Sequence, residues 1–195
     1  MNLKNYLLLF LVFITGGYLS LTAQTFTGDN TGAAVTNAAP VDSQADVTLT
    51  GNIGTDFIID NVTLDIAHVW SGDLVLTLIS PAGTSLVLSD GNGGSDDNYT
   101  NTVFQDGGAD ITAASAPFTG TFEPEAGTFA ATFDGEAVNG LWTLNIEDTF
   151  SSDDGVFNSF EITFAPPPPC QQPLNLSVTN ITSNSADLNW DDVAN

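Results

Sequence analysis

Residues 62–78 read VTLDIAHVWSGDLVLTL, and the spacing of their apolar side chains decides the fold class. Val62, Leu64 and Ile66 are apolar, polar or small residues stand between them, and His68 continues the same face. The alternation returns in LVLTL at residues 74–78. A period of two places alternate side chains on one face of a β-strand. The stretch therefore predicts two strands joined by a short connection.

The same pattern recurs through the middle of the chain and predicts an all-β fold. LWTLNIED, which contains Trp142, and FEITF, which contains Phe160, alternate in the same way, and SPAG at residues 80–83 is a turn signal. No segment keeps a 3.6-residue period with caps, so helices are expected to be nearly absent. Short strands separated by turns predict a sandwich, a barrel or a jelly roll. We expect Trp70, Trp142 and Phe160 to pack in its core.

The charge of the chain is strongly one-sided. One Lys+Arg stands against 24 Asp+Glu, which gives a formal net charge of −23, and the single base is Lys4. Such an acidic surface repels nucleic acids and anionic membranes, so we expect neither as a partner. Divalent cations suit it better. The hydrophobic fraction of 42% is typical of a globular protein.

The N-terminus resembles an export signal. Lys4 supplies a positive charge, LLLFLVFIT at residues 7–15 supplies a short apolar core, and small and polar residues follow up to Gln24. This order predicts a signal peptide over residues 1–24, with an uncleaved anchor as the alternative. We therefore expect a secreted or cell-surface bacterial protein, with no membrane insertion after the signal is cleaved.

Composition divides the remaining chain into four segments. Residues 25–39 contain little to bury and predict a spacer or a first edge strand, and residues 40–165 hold the strand patterns. Four prolines at residues 166–169 predict an interdomain linker. Residues 170–195 are too few for an independent domain. Cys170 is the only cysteine, so no internal disulfide can form.

A Ser-His-Asp triad would have to use His68, because it is the only histidine. Ser71 and Asp73 follow it closely in the sequence. However, His68 occupies the fourth apolar-face position of an alternating strand, and neither Gly-x-Ser-x-Gly nor His-Glu-x-x-His occurs. We therefore predict a structural histidine, hydrogen-bonded at the end of a strand, and a chain without a catalytic site.

Acidic residues concentrate in two turn regions that could bind calcium, which takes six to eight oxygen ligands from flexible loops. Neither region has the spacing of an EF-hand loop, and solvated acidic turns are the alternative. The first region also contains Asn92 and Asn98, and the second also contains Glu147. The candidate calcium ligands are Asp90, Asp96, Asp97, Asp106 and Asp110 in the first region and Asp148, Asp153 and Asp154 in the second.

Three blocks of this sequence resemble the P/homo B domain: VTLDIAHVWSGDLVLTLISPAGTSLVL at residues 62–88, APFTGTFEPE at residues 116–125 and NGLWTLNIEDTFSSDDGVFNSFEITF at residues 139–164. That family accompanies subtilisin/kexin-type serine proteases and other secreted proteins. The resemblance implies a β-jelly roll, a non-catalytic accessory role and, as in several P domains, structural calcium. Where the family often has paired aspartates, this chain has Gln105-Asp106.

The tail CQQPLNLSVTNITSNSADLNWDD, beginning at Cys170, resembles the first two strands of a fibronectin type III domain, with Trp190 as its core tryptophan. We expect it to be the start of a domain that is truncated at Asn195. Two functions remain open for the whole chain. The first is an accessory module of secreted proteolysis, whose partner is a protease domain. The second is a calcium-dependent adhesion or carbohydrate-binding module, which binds an extracellular ligand.

Overall fold

The computed structural model describes residues 22–168, 174–182 and 184–191. The predicted signal peptide therefore lies almost wholly outside the described residues, as do Cys170 and the side chain of Trp190. The described part contains twelve strands and one α-helix. The strands are β1 Gln24–Thr27, β2 Ala34–Val35, β3 Val41–Val47, β4 Ile58–His68, β5 Leu74–Ile79, β6 Ser85–Asp90, β7 Tyr99–Asp110, β8 Thr121–Glu123, β9 Gly140–Asp148, β10 Gly155–Ala165, β11 Leu174–Thr179 and β12 Asp187–Asp191.

Ten of these strands form two sheets. The first sheet has the order β1-β10-β4-β7-β8, with β2 also paired to β10, and the second has the order β3-β9-β5-β6. All pairs are antiparallel except β7 with β8. The prediction of an all-β jelly-roll sandwich is confirmed. Strands that are distant in sequence, such as β4 and β10, are neighbours in space.

The alternation read from the sequence corresponds to burial. Leu64 and Ile66 of β4 and Leu76 of β5 are fully buried, as are Trp142 and Phe160. The indole Nε1 of Trp142 donates a hydrogen bond to the Val138 carbonyl oxygen at 2.9 Å. Its ring packs edge-on against Phe133 and Phe164, with centroids 5.1 and 5.5 Å away. The core positions predicted for Trp142 and Phe160 are confirmed.

The near-absence of helices is confirmed for the described residues. The helix α1, Phe129–Phe133, has five residues, and two short 3-10 turns occupy Ser71–Asp73 and Ile111–Ala113. No helix in residues 22–168, 174–182 or 184–191 has the length and apolarity needed to cross a membrane. The sequence did not predict α1 because one helical turn is too short to display a 3.6-residue period.

Two expectations differ from the structure, and a third is decided between its two alternatives. Trp70 is 43% exposed, so the prediction that it packs in the core is wrong. The reason is that β4 ends at His68, and the two-residue period ends with it. Residues 90–102, DGNGGSDDNYTNT, are rich in Gly, Asn and Asp and predict a loop, but Asp90 ends β6 and the chain is strand again from Tyr99. The segment described as a spacer contributes β1 and β2, which pair with β10, in agreement with the edge-strand alternative.

The tail contains a pair of antiparallel strands, β11 and β12. They lie where the first two strands of a fibronectin type III domain were expected. A two-stranded pair is common to many folds, so the fibronectin assignment stays a prediction.

Candidate functional site

Three connections meet at one end of the sandwich, and we call this region the three-loop end. They are residues 69–73 between β4 and β5, residues 91–98 between β6 and β7, and residues 149–154 between β9 and β10. Backbone hydrogen bonds join the first two: the Ser71 N–H donates to the Asp96 carbonyl oxygen and the Gly72 N–H to that of Gly94, each at 2.9 Å. The Thr149 N–H and hydroxyl donate to the Asp73 carbonyl oxygen at 2.9 and 2.8 Å. The three loops therefore form one connected surface.

His68 and Asp148 face each other beneath this surface. Each is the last residue of its strand, and each continues the inward-facing set of that strand. The imidazole Nε2 lies 3.6 Å from the carboxylate Oδ2, and both side chains are inaccessible to solvent. Neither of these two atoms has a hydrogen-bond partner within the described part of the chain, whereas Asp148 Oδ1 accepts one from the Phe150 N–H at 3.0 Å. The pair closes the end of the hydrophobic core with polar groups.

The other imidazole nitrogen contacts the backbone. His68 Nδ1 lies 2.9 Å from the Trp70 carbonyl oxygen and 3.2 Å from the Trp70 nitrogen. The His68 N–H also donates to Asn98 Oδ1 at 2.9 Å. The histidine therefore fixes the connection that carries Trp70, as expected for a structural histidine at a strand end.

Ser71 would be the serine of a Ser-His-Asp triad with His68 and Asp148, but these three residues do not have the geometry of a triad. Its side chain is fully buried, and its hydroxyl has no hydrogen-bond partner among the described residues. Catalysis by a serine requires a hydrogen bond to the base and access for a substrate. The imidazole of His68 faces Asp148 with one nitrogen and Trp70 with the other, so neither nitrogen is directed to the serine.

Asp73 is a further carboxylate at this end, and it is only 6% exposed. Burial raises the pKa of its carboxyl group above the ordinary aspartate value, and the charge of Asp148 raises it further. His68 lowers the Asp73 pKa in part, and Asp153 adds a smaller increase. The structure thus brings Asp148 and Asp153 of the second candidate calcium group into electrostatic contact with Asp73.

An open pocket of about 440 Å³ lies over Asp73. The pocket is also lined by Trp70, Phe150, Ser151 and Asp153 and by three glycines, Gly72, Gly91 and Gly94. Trp70 is 43% exposed and Phe150 is 64% exposed. We call this the aromatic pocket. It combines two exposed rings with two carboxylates.

The first candidate calcium group is distributed over several structural roles. Asp106 accepts hydrogen bonds from the Phe129 and Ala130 N–H groups at 2.7 and 2.9 Å, so it caps α1. Asp110 caps the second 3-10 turn by accepting from the Thr112 N–H and hydroxyl, and these hydrogen bonds lower the pKa of its carboxyl group. Asp90 ends β6, where its N–H donates to a carboxylate oxygen of Glu125.

The remaining candidates lie on the loops. Asp96 and Asp97 border a second pocket beside Pro117, while Asn98 binds the His68 backbone. Asp154 is exposed. Within the described ranges, no three histidine, cysteine or acidic side chains are grouped closely enough to hold a metal ion. Calcium binding therefore stays a prediction that would depend on carbonyl and amide oxygens as well as carboxylates.

Sequence reasoning missed Asp73 and the aromatic pocket as a site. The available signal was Asp73 directly before the buried strand β5, together with Trp70 two residues after the end of β4. Asp153 was identified only as a candidate calcium ligand, and Phe150 gave no signal, because nothing local to residues 149–154 shows which other loops they meet.

Comparisons with known proteins give a family match for residues 60–164, to the family described as Proprotein convertase P-domain. Leupeptin-inactivating enzyme 1 of Streptomyces exfoliatus is 31% identical over 118 residues, which cover 60% of this chain and 21% of that protein. The present chain thus spans about a fifth of the length of this curated relative.

Two crystal structures of an Aeromonas sobria serine protease also match. One is a complex of that protease with a chaperone, with a TM-score of 0.42 and 18% identity over 76% of this chain and 27% of the matched chain. The other has a TM-score of 0.40 and 16% identity, over 74% of this chain and 26% of the matched chain.

Proposed function

Because the chain belongs to the proprotein convertase P-domain family, we propose that it is a non-catalytic accessory module of a secreted proteolytic protein. The module contributes stability or binds a partner, and a separate protease domain performs the hydrolysis. The curated relative, whose name describes an enzyme, is about five times longer than the matched region, which is consistent with such a division.

The engagement of His68 is the observation that supports a non-catalytic role. Its two ring nitrogens face Asp148 and the Trp70 backbone, and its side chain is buried. The hydroxyl of Ser71 is also buried, so a substrate carbonyl has no path to it. A general base must reach the proton that it abstracts, directly or through one water. This geometry favours a structural role for His68, Asp148 and Ser71.

Hydrolysis assays test the non-catalytic role. The purified chain should not hydrolyse casein or small peptide esters faster than they are hydrolysed in buffer alone. Activity that disappears in His68→Ala, while the circular dichroism spectrum stays that of a folded β-protein, would contradict the proposal. Asp154→Asn is the matched control, because Asp154 is exposed and lies apart from the histidine.

Recovery of the native protein tests the protease partner. An antibody against this chain should isolate it from culture medium together with a protease domain, either in the same polypeptide or as a stoichiometric partner identified by mass spectrometry. Isolation of a polypeptide that carries only adhesive repeats would favour the second function. Sequencing the gene beyond Asn195 gives the same distinction independently.

Adhesion or carbohydrate binding is the second candidate function, and the exposed rings of Trp70 and Phe150 favour it. Aromatic faces are common in binding surfaces because they bury large apolar areas. A glycan array with the purified chain tests it. Saturable binding of an oligosaccharide that is lost in Trp70→Ala would support this function.

A structural calcium ion remains part of the proposal. The chain has no lysine or arginine after Lys4, so the carboxylates in its acidic loops have no cationic side chain other than the single histidine. A bound cation would reduce their repulsion. Melting experiments described in the Discussion test calcium and distinguish the two loop regions. Secretion or surface location likewise remains proposed, on the basis of the N-terminal sequence.

A further inference from the structure

The aromatic pocket combines exposed aromatic rings with acidic side chains. Large hydrophobic side chains are exposed at Val69, Trp70 and Phe150, all within the three-loop end, and the last two line the same pocket as Asp73 and Asp153. Exposed apolar residues that adjoin fixed polar groups are typical of binding surfaces. The pocket is therefore a candidate interaction surface.

Asp73 indicates which charge a ligand of this pocket would carry. It is more than nine-tenths buried, it lines the pocket, and no described group donates a hydrogen bond to its carboxylate. Burial disfavours the charged form of this carboxylate, and the nearby carboxylates of Asp148 and Asp153 disfavour it further, so the pKa of Asp73 is raised. A cationic donor placed in the pocket would offset this effect. The chain cannot supply a lysine or arginine itself beyond Lys4.

We propose that the aromatic pocket binds an arginine or lysine side chain of a partner polypeptide, with its charged end at Asp73 and Asp153 and its stem between Trp70 and Phe150. This inference rests on the proposed accessory function and names the chemistry of the partner surface. A chain with a formal net charge of −23 is complementary to a basic partner.

The aromatic walls favour an organic cation over a metal ion. Ammonium and guanidinium groups are attracted to the faces of aromatic rings, and their aliphatic stems pack on apolar surfaces. A calcium ion would gain nothing from Trp70 and Phe150, and the described residues hold no group of three metal-binding side chains. A neutral sugar would stack on the rings but would leave the charge of Asp73 unbalanced.

Peptide titration tests the proposal. The full chain, in chelator, is titrated with the peptide acetyl-Gly-Arg-Gly-amide and with its citrulline analogue, which has nearly the same shape and no charge. The readout is the indole NMR signal of Trp70, assigned with Trp70→Phe. The arginine peptide should shift this signal to saturation, the lysine peptide should act similarly, and the citrulline peptide should produce no saturable shift.

Two pairs of variants identify the site. Asp153→Asn should weaken binding of the arginine peptide by about tenfold or more, as expected for loss of a charged hydrogen-bond partner. Asp154→Asn removes the same charge from an exposed neighbour outside the pocket and should leave the affinity unchanged. Phe150→Ala should also weaken binding, whereas Leu141→Ala, at an exposed leucine on β9, should not.

Several results would overturn the proposal. These are equal shifts with arginine and citrulline, equal losses in Asp153→Asn and Asp154→Asn, or a saturable shift with calcium chloride or an oligosaccharide but none with the arginine peptide. The proposed accessory function would survive if the native protein still contained a protease domain. The two proposals can therefore fail separately.

Discussion

The imidazole of His68 and the carboxylate of Asp148 are the terminal inward-facing groups of two strands in opposite sheets, with Nε2 and Oδ2 3.6 Å apart. Both side chains are buried at the end of the core. Because the contact joins β4 of the first sheet to β9 of the second, it couples the two layers where the three loops meet.

Breaking this contact should destabilise the domain. His68→Ala should lower the free energy of unfolding by about 1–3 kcal/mol, because it removes a buried ring and the hydrogen bonding of Nδ1 with the Trp70 backbone. Urea denaturation measures the change, with Asp154→Asn as the control. A loss no larger than that of the control would show that water or another group replaces the imidazole at no cost. His68→Gln keeps most of the side-chain volume and lacks the imidazole ring. Comparing its stability with that of His68→Ala therefore distinguishes the effect of lost volume from that of the lost ring.

Asp73 should make stability depend on pH. Its pKa is raised in the folded state by burial and by Asp148, so between the ordinary value of 3.8 and the raised value the native state binds more protons than the unfolded state. The stabilisation that this group contributes is therefore greatest below pH 3.8, and it is lost as the pH rises through the raised pKa of the folded state. Asp73→Asn should have a higher melting temperature than the wild type at pH 7.

The pH series supplies the control for Asp73. The difference in melting temperature between Asp73→Asn and wild type should shrink as pH falls toward 3.8, because the wild-type carboxyl then becomes neutral as well. A variant that is less stable than wild type at pH 7 would contradict this prediction. It would show that the Asp73 carboxylate has a favourable interaction in the native protein.

Trp142 should carry a large share of core stability. It is fully buried and packs between Phe133 and Phe164, so Trp142→Ala should cost about 3–5 kcal/mol through lost contacts and the cavity left behind. Its neighbour Leu141 is exposed, and Leu141→Ala should change stability by no more than about 0.5 kcal/mol. Chemical denaturation of both variants checks the prediction. Similar losses in both would place the core elsewhere.

Calcium should raise the melting temperature if it binds the native loops. Binding to the folded state alone stabilises by about 2.7 kcal/mol at a hundredfold excess over the dissociation constant, which corresponds to several degrees. Asp97→Asn should reduce the shift if the first acidic region binds, and Asp153→Asn should do so if the second binds. Asp106→Asn is a poor probe, because Asp106 caps α1 whether or not calcium is present.

Ionic strength is the necessary control for calcium. Sodium chloride at matched ionic strength should reproduce only a small part of the shift, since it screens charges without occupying a site. If sodium reproduces all of it, the acidic loops are solvated surface and the calcium proposal fails.

The alternating sequence was sufficient to predict β4, β5, β9 and β10 and their buried faces. Trp142 and Phe160 could be placed inside because a strand with period two has a single buried side, and this is a local property. The alternation also placed His68 on the inward face. Trp70 could not be placed, because the period ends at His68 and only the turn that follows directs the tryptophan outward.

Composition alone determined that the chain carries almost no basic side chains, and alternation determined which side chains enter the core. Only the order of strands in the two sheets decided that His68 meets Asp148 and that Trp70, Asp73, Phe150 and Asp153 share one pocket. These residues lie on connections far apart in sequence, and strand periodicity has no information about which connections converge. The same applies to Asp106, because its role as a cap depends on α1 packing beside β7.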